Sequence, residues 1–246
     1  MDKYGLIGYP LSHSFSKDFF NTKFRSENTD AEYVNFEIPN IEQLRTVIKD
    51  NPSLKGLNVT IPYKEKVIPY LDDLSENVRL IGAVNVIRFD RKKNKLRLIG
   101  YNSDIIGFKQ SIEPMLEGRT RALILGTGGS SKAVFYGLKQ LGVESQVVSR
   151  DKDKALLTYD DLSPEVMALS KIIVNTTPVG MYPKVDECPA IPYEYLTEDH
   201  LLYDLLYNPN ETLFMKKGKE RSATVVNGLE MLLLQAYASW EFWNEN

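Results

Sequence analysis

Apolar positions in this 246-residue chain fall in short runs separated by polar, amphipathic stretches, and the alternation continues from one end to the other. The runs at residues 3–9, 33–38, 56–61 and 83–89 are bounded by Gly, Pro, Asn, Asp or Ser and read as strands. Residues 16–26, 41–49 and 63–71 lie between them and read as helices, while the run at 95–101 pairs with the strand before it across the charged turn 90–94. A second series follows. It has a helix at 104–116, then strands at 121–125, 146–149, 171–176 and 201–205 that alternate with helices and loops. Residues 229–243 are too rich in long apolar side chains to face water, which predicts a closing helix packed on a sheet. Strand and helix in alternation imply an α/β protein with largely parallel sheets, and the length suits two α/β domains with a ligand cleft between them.

The stretch Leu125-Gly126-Thr127-Gly128-Gly129-Ser130-Ser131 leads from an apolar strand through a glycine-rich turn into a helix. Gly126 permits the tight turn, Gly128 lets the backbone approach a pyrophosphate, and the first N–H groups of the helix face the negative charge. The third position of that fingerprint prefers Gly or Ala for close helix packing, and here it is Ser131. A glycine cluster alone also suits an ordinary surface turn, so the turn needs support from elsewhere in the chain.

Composition narrows the function classes. A formal net charge of -3, with acidic and basic residues interleaved, leaves no electrostatic footprint for nucleic acid. No segment is apolar for long enough to span a bilayer, and the chain enters its first strand without a charged leader, so a soluble cytoplasmic enzyme is expected. Cys188 is the only cysteine, which rules out an internal disulfide and a thiolate metal site; no metal is expected. Asn58, Asn175 and Asn210 begin Asn-x-Thr sequons, but without an export signal their roles must lie elsewhere.

The first half places polar residues at strand ends and turns: Ser14, Ser16, Asn58, Thr60, Lys64, Asn85 and Asp104. Each has a plain alternative, since Ser14 and Ser16 also suit helix caps and Lys64 belongs to a charged run. The segment Asn58-Val59-Thr60-Ile61-Pro62-Tyr63-Lys64 puts Asn58 and Thr60 on one side of a strand and a lysine just past a proline that opens a helix. Amides and hydroxyls without a histidine or metal cluster suit a small polyhydroxylated ligand.

Across these segments the chain resembles the shikimate dehydrogenase family. Gly8–Ser16 is similar to the family's amino-terminal substrate motif, and Leu57–Lys64 to the segment with its catalytic lysine. Gly82-Ala83-Val84-Asn85 and Gly100-Tyr101-Asn102-Ser103-Asp104 supply the matching asparagine and aspartate. Asn175–Met181 and Tyr203–Pro209 resemble the cofactor-domain signatures, and Asn227–Ala236 the closing helix. The resemblance implies two α/β domains, the second a Rossmann-like dinucleotide-binding domain over residues 104–228, with the substrate domain formed by 1–103 and 229–246. It implies reversible reduction of 3-dehydroshikimate to shikimate with NADPH, a step of aromatic amino acid and chorismate biosynthesis, by a monomer or homodimer. Lys64 is then the proton donor and Asp104 its partner. Ser14 and Ser16 hold the substrate carboxylate, with Asn58, Thr60, Asn85, Tyr207 and Gln235 completing the substrate pocket. Gly126, Thr127, Gly128, Gly129, Ser130, Ser149, Arg150, Lys154, Thr176, Gly228 and Met231 are the cofactor residues.

Two departures stand out. After the second cofactor strand the family commonly has Asn-Arg-Thr, and this chain has Ser149-Arg150-Asp151. Arg150 keeps the partner for a 2′-phosphate, with Lys152 and Lys154 nearby, but Asp151 suits a free ribose hydroxyl and leaves an NAD-preferring quinate/shikimate dehydrogenase as the alternative. A non-catalytic metabolite or nucleotide sensor on the same fold is the other rival, and it would be expected to lose Lys64 and Asp104. The second departure is the shortness of residues 151–170, which predicts a helix reduced on the adenine side.

Overall fold

A computed structural model describes residues 1–11, 15–92 and 95–245. The chain divides into two compact units, one of Met1–Ser103 with Ala236–Asn246 and one of Asp104–Gln235.

In the first unit the order is β1 (Asp2–Gly8), α1 (Phe15–Ser26), β2 (Ala31–Glu37), α2 (Leu44–Asp50), β3 (Leu54–Val59), β4 (Asp73–Leu74), α3 (Glu76–Ile81), β5 (Val86–Lys92) and β6 (Lys95–Tyr101). The strands form one mixed sheet in the order β2-β1-β3-β5-β6-β4. β1 is parallel to β2 and β3, whereas β5 runs antiparallel to both β3 and β6, so only part of this sheet has the expected parallel sense. Successive side chains alternate between two cores. Ile7, Leu57, Val59 and Ile87 pack on one face, and Leu6, Tyr33, Val86 and Tyr101 on the other. The second face is closed by Phe20 and Phe24 of α1 and by Ala236 and Trp243 near the chain's end. A side chain at Gly56 would enter the Trp243 indole, whose Nε1 donates to the Ile87 carbonyl at 3.2 Å.

The helix expected at 63–71 does not form. Lys64 lies in a series of turns that ends in one 3₁₀ turn, Ile68–Tyr70. The apolar spacing is satisfied by burying Tyr63 and Val67, but Pro69 has no N–H to continue a helical ladder, and only turns such as Val67 N–H to the Tyr63 carbonyl form.

The second unit contains α4 (Asp104–Ile112), β7 (Arg121–Leu125), α5 (Gly129–Gln140), β8 (Glu144–Ser149), β9 (Leu157–Thr158), α6 (Pro164–Leu169), β10 (Ile172–Asn175), β11 (Leu201–Asp204), α7 (Leu213–Lys219), β12 (Thr224–Val226) and α8 (Leu229–Asn244), whose last residues return to the first unit. Its six strands are all parallel, in the order β12-β11-β10-β7-β8-β9. Numbered within the unit, this is the doubly wound order 3-2-1-4-5-6 read from the other edge. Ala122, Ile124 and Val174 pack on one face and Leu123, Leu125 and Ile173 on the other, which explains why these strands read as unbroken apolar runs.

The chain returns to the first unit at Ala236, not at residue 229. The opening turns of α8 stay with the second unit because Met231 joins its core and Gly107 of α4 packs against the Met231 carbonyl and Gln235. Between β8 and β10 the chain forms only the two-residue β9, one 3₁₀ turn at Tyr159–Asp161 and the six-residue α6.

Candidate active site

In a doubly wound sheet the crevice lies where strand order reverses, at the carboxyl ends of the two strands flanking that point. Here those strands are β7 and β10. Leu125 ends β7, and its carbonyl accepts from the Thr176 N–H at 3.0 Å and the Thr176 hydroxyl at 2.6 Å. Gly126 follows with a φ of 112°, and a side chain there would stand 2.8 Å from the Thr176 hydroxyl, so both the conformation and the contact require glycine. A side chain built at Gly128 meets no atom within 4 Å, which leaves space beside the start of α5. The geometry fits a pyrophosphate seated on the helix N-terminus, with Gly126, Thr127, Gly128, Gly129 and Ser130 supplying backbone and Thr176 anchoring the neighbouring strand end. Ser131 does not disturb this fit. Its buried hydroxyl donates back to the Gly128 carbonyl at 2.7 Å, closing the turn on itself, while the close approach to α4 is made at Gly137, where an added side chain would stand 3.0 Å from the Phe108 ring.

At the end of β8, Ser149 is buried and its hydroxyl accepts from the Asp151 N–H at 3.0 Å. Asp151 turns its carboxylate into its own loop. One oxygen accepts from the Asp153 N–H at 3.1 Å and the other is 3.2 Å from Lys154 Nζ, and these two contacts hold the acid below the usual carboxylate range. The charge that argued for a free ribose hydroxyl is therefore engaged by its own turn and by the lysine expected to meet a phosphate. Arg150 is exposed and close enough to Tyr159 to favour its ionised form, against the burial that raises that phenol.

In the first unit, Ser14 lies outside the described residues. Ser16, in the first turn of α1, hydrogen-bonds Tyr33, which burial raises far above the usual phenol range. The Tyr33 hydroxyl donates to Asn58 Oδ1 at 2.8 Å, and Asn58 Nδ2 donates to the Asn85 carbonyl at 3.2 Å and the Ser239 hydroxyl at 3.0 Å. Asn85 Oδ1 accepts from the Ser103 N–H at 2.7 Å, and its amide donates to the Ser103 hydroxyl, itself 3.0 Å from Ser239. The proton directions are forced. The Asn85 carbonyl can only accept, so Asn58 presents its NH₂ there and its oxygen to Tyr33; Tyr33 spends its one proton on Asn58 and can only accept from Ser16. Both amide protons of Asn58 are thus committed inside the protein, and it holds neighbours in place instead of presenting that amide to a ligand. Tyr33 and Ser239 were missed in the sequence, although a serine in an otherwise apolar helix is a detectable signal.

Lys64 is partly buried, and its carbonyl accepts from the Val84 N–H at 2.7 Å, which ties its turn to the residue before Asn85. Thr60 follows β3 and is also partly buried. In the second unit Asp104 is 6% exposed in the first turn of α4, where a helix N-terminus favours a carboxylate. Tyr207 is 37% exposed on the loop after β11, and Gln235 donates to the Leu232 carbonyl at 3.0 Å. Gly228 is packed so closely on the Leu205 carbonyl that no side chain fits. Met231 is buried in the second unit's core with Ile124 and Tyr203. Among the described residues no group of three or more His, Cys, Asp or Glu is placed to hold a metal, and no helix is long and apolar enough to cross a membrane.

The parallel sheet, its strand order and the glycine turn at its switch point define a dinucleotide-binding architecture, joined in the chain to a second α/β unit. Residues 6–87 match the family model for the shikimate dehydrogenase substrate binding domain. The chain is 40% identical to the shikimate dehydrogenase (NADP(+)) of Clostridium beijerinckii, with 100% of this chain and 93% of that protein covered. It belongs to the shikimate dehydrogenase family. Among solved structures it is similar to the Thermus thermophilus shikimate 5-dehydrogenase in complex with NADP(H) and shikimate, at 28% identity and a TM-score of 0.87 over 99% of this chain and 94% of that one. The Corynebacterium glutamicum quinate dehydrogenase in complex with NAD has the same TM-score of 0.87 at 26% identity, covering 99% of this chain and 93% of that one.

Proposed function

We propose that this protein is an NADP-dependent shikimate dehydrogenase that interconverts 3-dehydroshikimate and shikimate. The observation that carries the reading is the match of the whole chain, at 40% identity, to a relative named for that activity and cofactor. NADPH, when bound, supplies the hydride that adds to the carbonyl carbon of 3-dehydroshikimate. The carbonyl oxygen gains negative charge as that bond forms, and Lys64 delivers a proton to it; in the oxidative direction the same amine removes the hydroxyl proton. Asp104 is assigned the role of holding the ammonium and a substrate hydroxyl. Ser14 and Ser16 bind the carboxylate by neutral hydrogen bonds, Ser16 turning its one hydroxyl proton from Tyr33 to the ligand; Thr60, Tyr207 and Gln235 meet the ring hydroxyls, and Asn58 and Asn85 keep this wall rigid.

For the cofactor, residues 126–130 with Thr176 take the pyrophosphate, Arg150 takes the 2′-phosphate, and Gly228, which must be glycine to pack on the Leu205 carbonyl, borders the nicotinamide. The inward turn of the Asp151 carboxylate supports NADP over NAD, because a charge matched by Lys154 and a backbone N–H opposes a phosphate less than a free one. We place the enzyme in the cytoplasm as a monomer or homodimer; a single cysteine, incapable of an internal disulfide, accords with a reducing compartment. The test is steady-state oxidation of shikimate with NADP, with quinate and NAD as comparison substrates. Turnover of shikimate with NADP supports the reading, and its absence with either cofactor rejects it.

A further inference from the structure

Asp204 is the last residue of β11 and is fully buried, yet among the described residues no cation meets it. Its carboxylate is held by three neutral donors. One oxygen accepts from Asn175 Nδ2 at 3.0 Å and the Leu206 N–H at 3.0 Å, and the other from the Thr212 hydroxyl at 2.6 Å. Each donor belongs to a different piece of chain. Asn175 ends β10 and uses its own oxygen to accept from the Thr177 N–H at 3.1 Å and the Thr177 hydroxyl at 2.7 Å, which shapes the loop after Thr176. The Leu206 carbonyl accepts from the Gly228 N–H at 2.9 Å, and Thr212 caps α7.

We propose that Asp204 is a positioning residue for the dehydrogenase reaction: its buried carboxylate ties the loop bearing Thr176 to the loop bearing Tyr207 and to the turn at Gly228, so that cofactor and substrate groups of this unit are set by one knot. The inference rests on the proposed function for what those loops bind. Asp204 has no exposed surface and reaches no ligand itself, so it acts only through its three donors. A carboxylate suits this place because every group aimed at it is a donor, and an ionised acceptor makes each bond stronger than an amide oxygen would. The design is costly for a merely structural tie. Burial pushes the acid up to about 6, and at neutral pH the fold keeps a desolvated charge that a neutral side chain would avoid.

The test compares Asp204→Asn, Thr212→Val and Thr212→Ser with wild type by amide hydrogen exchange of the ligand-free protein and by steady-state kinetics at 25 °C. In Asp204→Asn and Thr212→Val, exchange at Thr177 and Leu206 is expected to speed at least tenfold. kcat/KM for NADP should fall about tenfold in both, and Thr212→Ser should restore both readouts to within twofold of wild type. A folded Asp204→Asn or Thr212→Val protein with both readouts within twofold overturns the proposal, even if its melting temperature falls. If Asp204→Asn does not fold, Thr212→Val decides alone. If wild type does not oxidise shikimate, the functional reading has failed and the exchange rates alone decide whether the knot sets both loops.

Discussion

Replacing Asp204 by Asn should change how stability depends on pH, and the size of the change follows from the burial of the carboxylate. Desolvation raises the acid from 3.8 to about 6, against the opposing effect of its three hydrogen bonds. In the unfolded chain it ionises near 3.8, so as pH rises past that value the unfolded state releases a proton that the folded state still holds. The group's contribution to stability is therefore present below pH 4 and is lost as pH rises through about 6. The loss corresponds to about 3 kcal/mol at about 1.4 kcal/mol for each pH unit. Asparagine does not titrate, so the variant's stability relative to wild type should improve by about that amount between about pH 4 and pH 7, equivalent to roughly 10 °C in melting temperature for a unit of this size. The assay is thermal unfolding of both proteins across that range, reading the transition of the second unit because two units need not melt together. At pH 4 the two proteins should be of similar stability, since the protonated acid and the amide each present one acceptor oxygen and one hydrogen-bearing group to the same partners. A difference between the two proteins that stays constant with pH would refute the reasoning, and would mean that water or a neighbouring charge already stabilises the ionised form.

Lys64→Ala should lower kcat by about two powers of ten or more with a modest change in shikimate KM, because a proton donor acts on charge that develops only in the transition state; kcat within threefold of wild type removes it from the mechanism. Gly128→Ala should fold normally, with a melting temperature within about 2 °C of wild type, because the new methyl meets no protein atom, yet NADP affinity measured by titration should fall about tenfold as the methyl enters the phosphate space. Tyr33→Phe leaves Asn58 Oδ1 and Ser16 without their partner, so it should cost about 1–3 kcal/mol in denaturant unfolding and raise shikimate KM while NADP affinity holds. Arg150→Ala should raise the NADP KM about tenfold with little effect on NAD, whereas Asp151→Asn should move the cofactor ratio by no more than about threefold, since that carboxylate is already matched by Lys154.

The second unit was the more legible in the sequence. Its central strands β7, β10 and β11 are buried on both faces and therefore read as largely apolar runs, and the Gly126–Ser131 turn marks where the first of them meets its helix. What could not be read is short or distant in sequence. β4 and β12 have two and three residues, too few to show a period. The helix expected at 63–71 failed because apolar spacing alone does not register the N–H that Pro69 lacks. The return at Ala236 instead of 229 depends on which side of α8 packs against Gly107, a contact between residues far apart in the chain. At the site, the residue types were visible but their allegiances were not. Asn58 looked like a ligand-facing amide, but its partners Tyr33 and Ser239 stand 25 and 181 positions away. Asp151 looked like a free charge until its bonds to Asp153 and Lys154 were seen.

The most direct measurement of the central claim is kcat/KM for shikimate oxidation by the wild-type chain with NADP and with NAD under one set of conditions. Turnover of shikimate is expected with a preference for NADP of about tenfold or more, because Arg150 meets a 2′-phosphate. A preference for NAD would place control of the ribose pocket with Asp151, and no oxidation of shikimate with either cofactor would contradict the functional assignment itself.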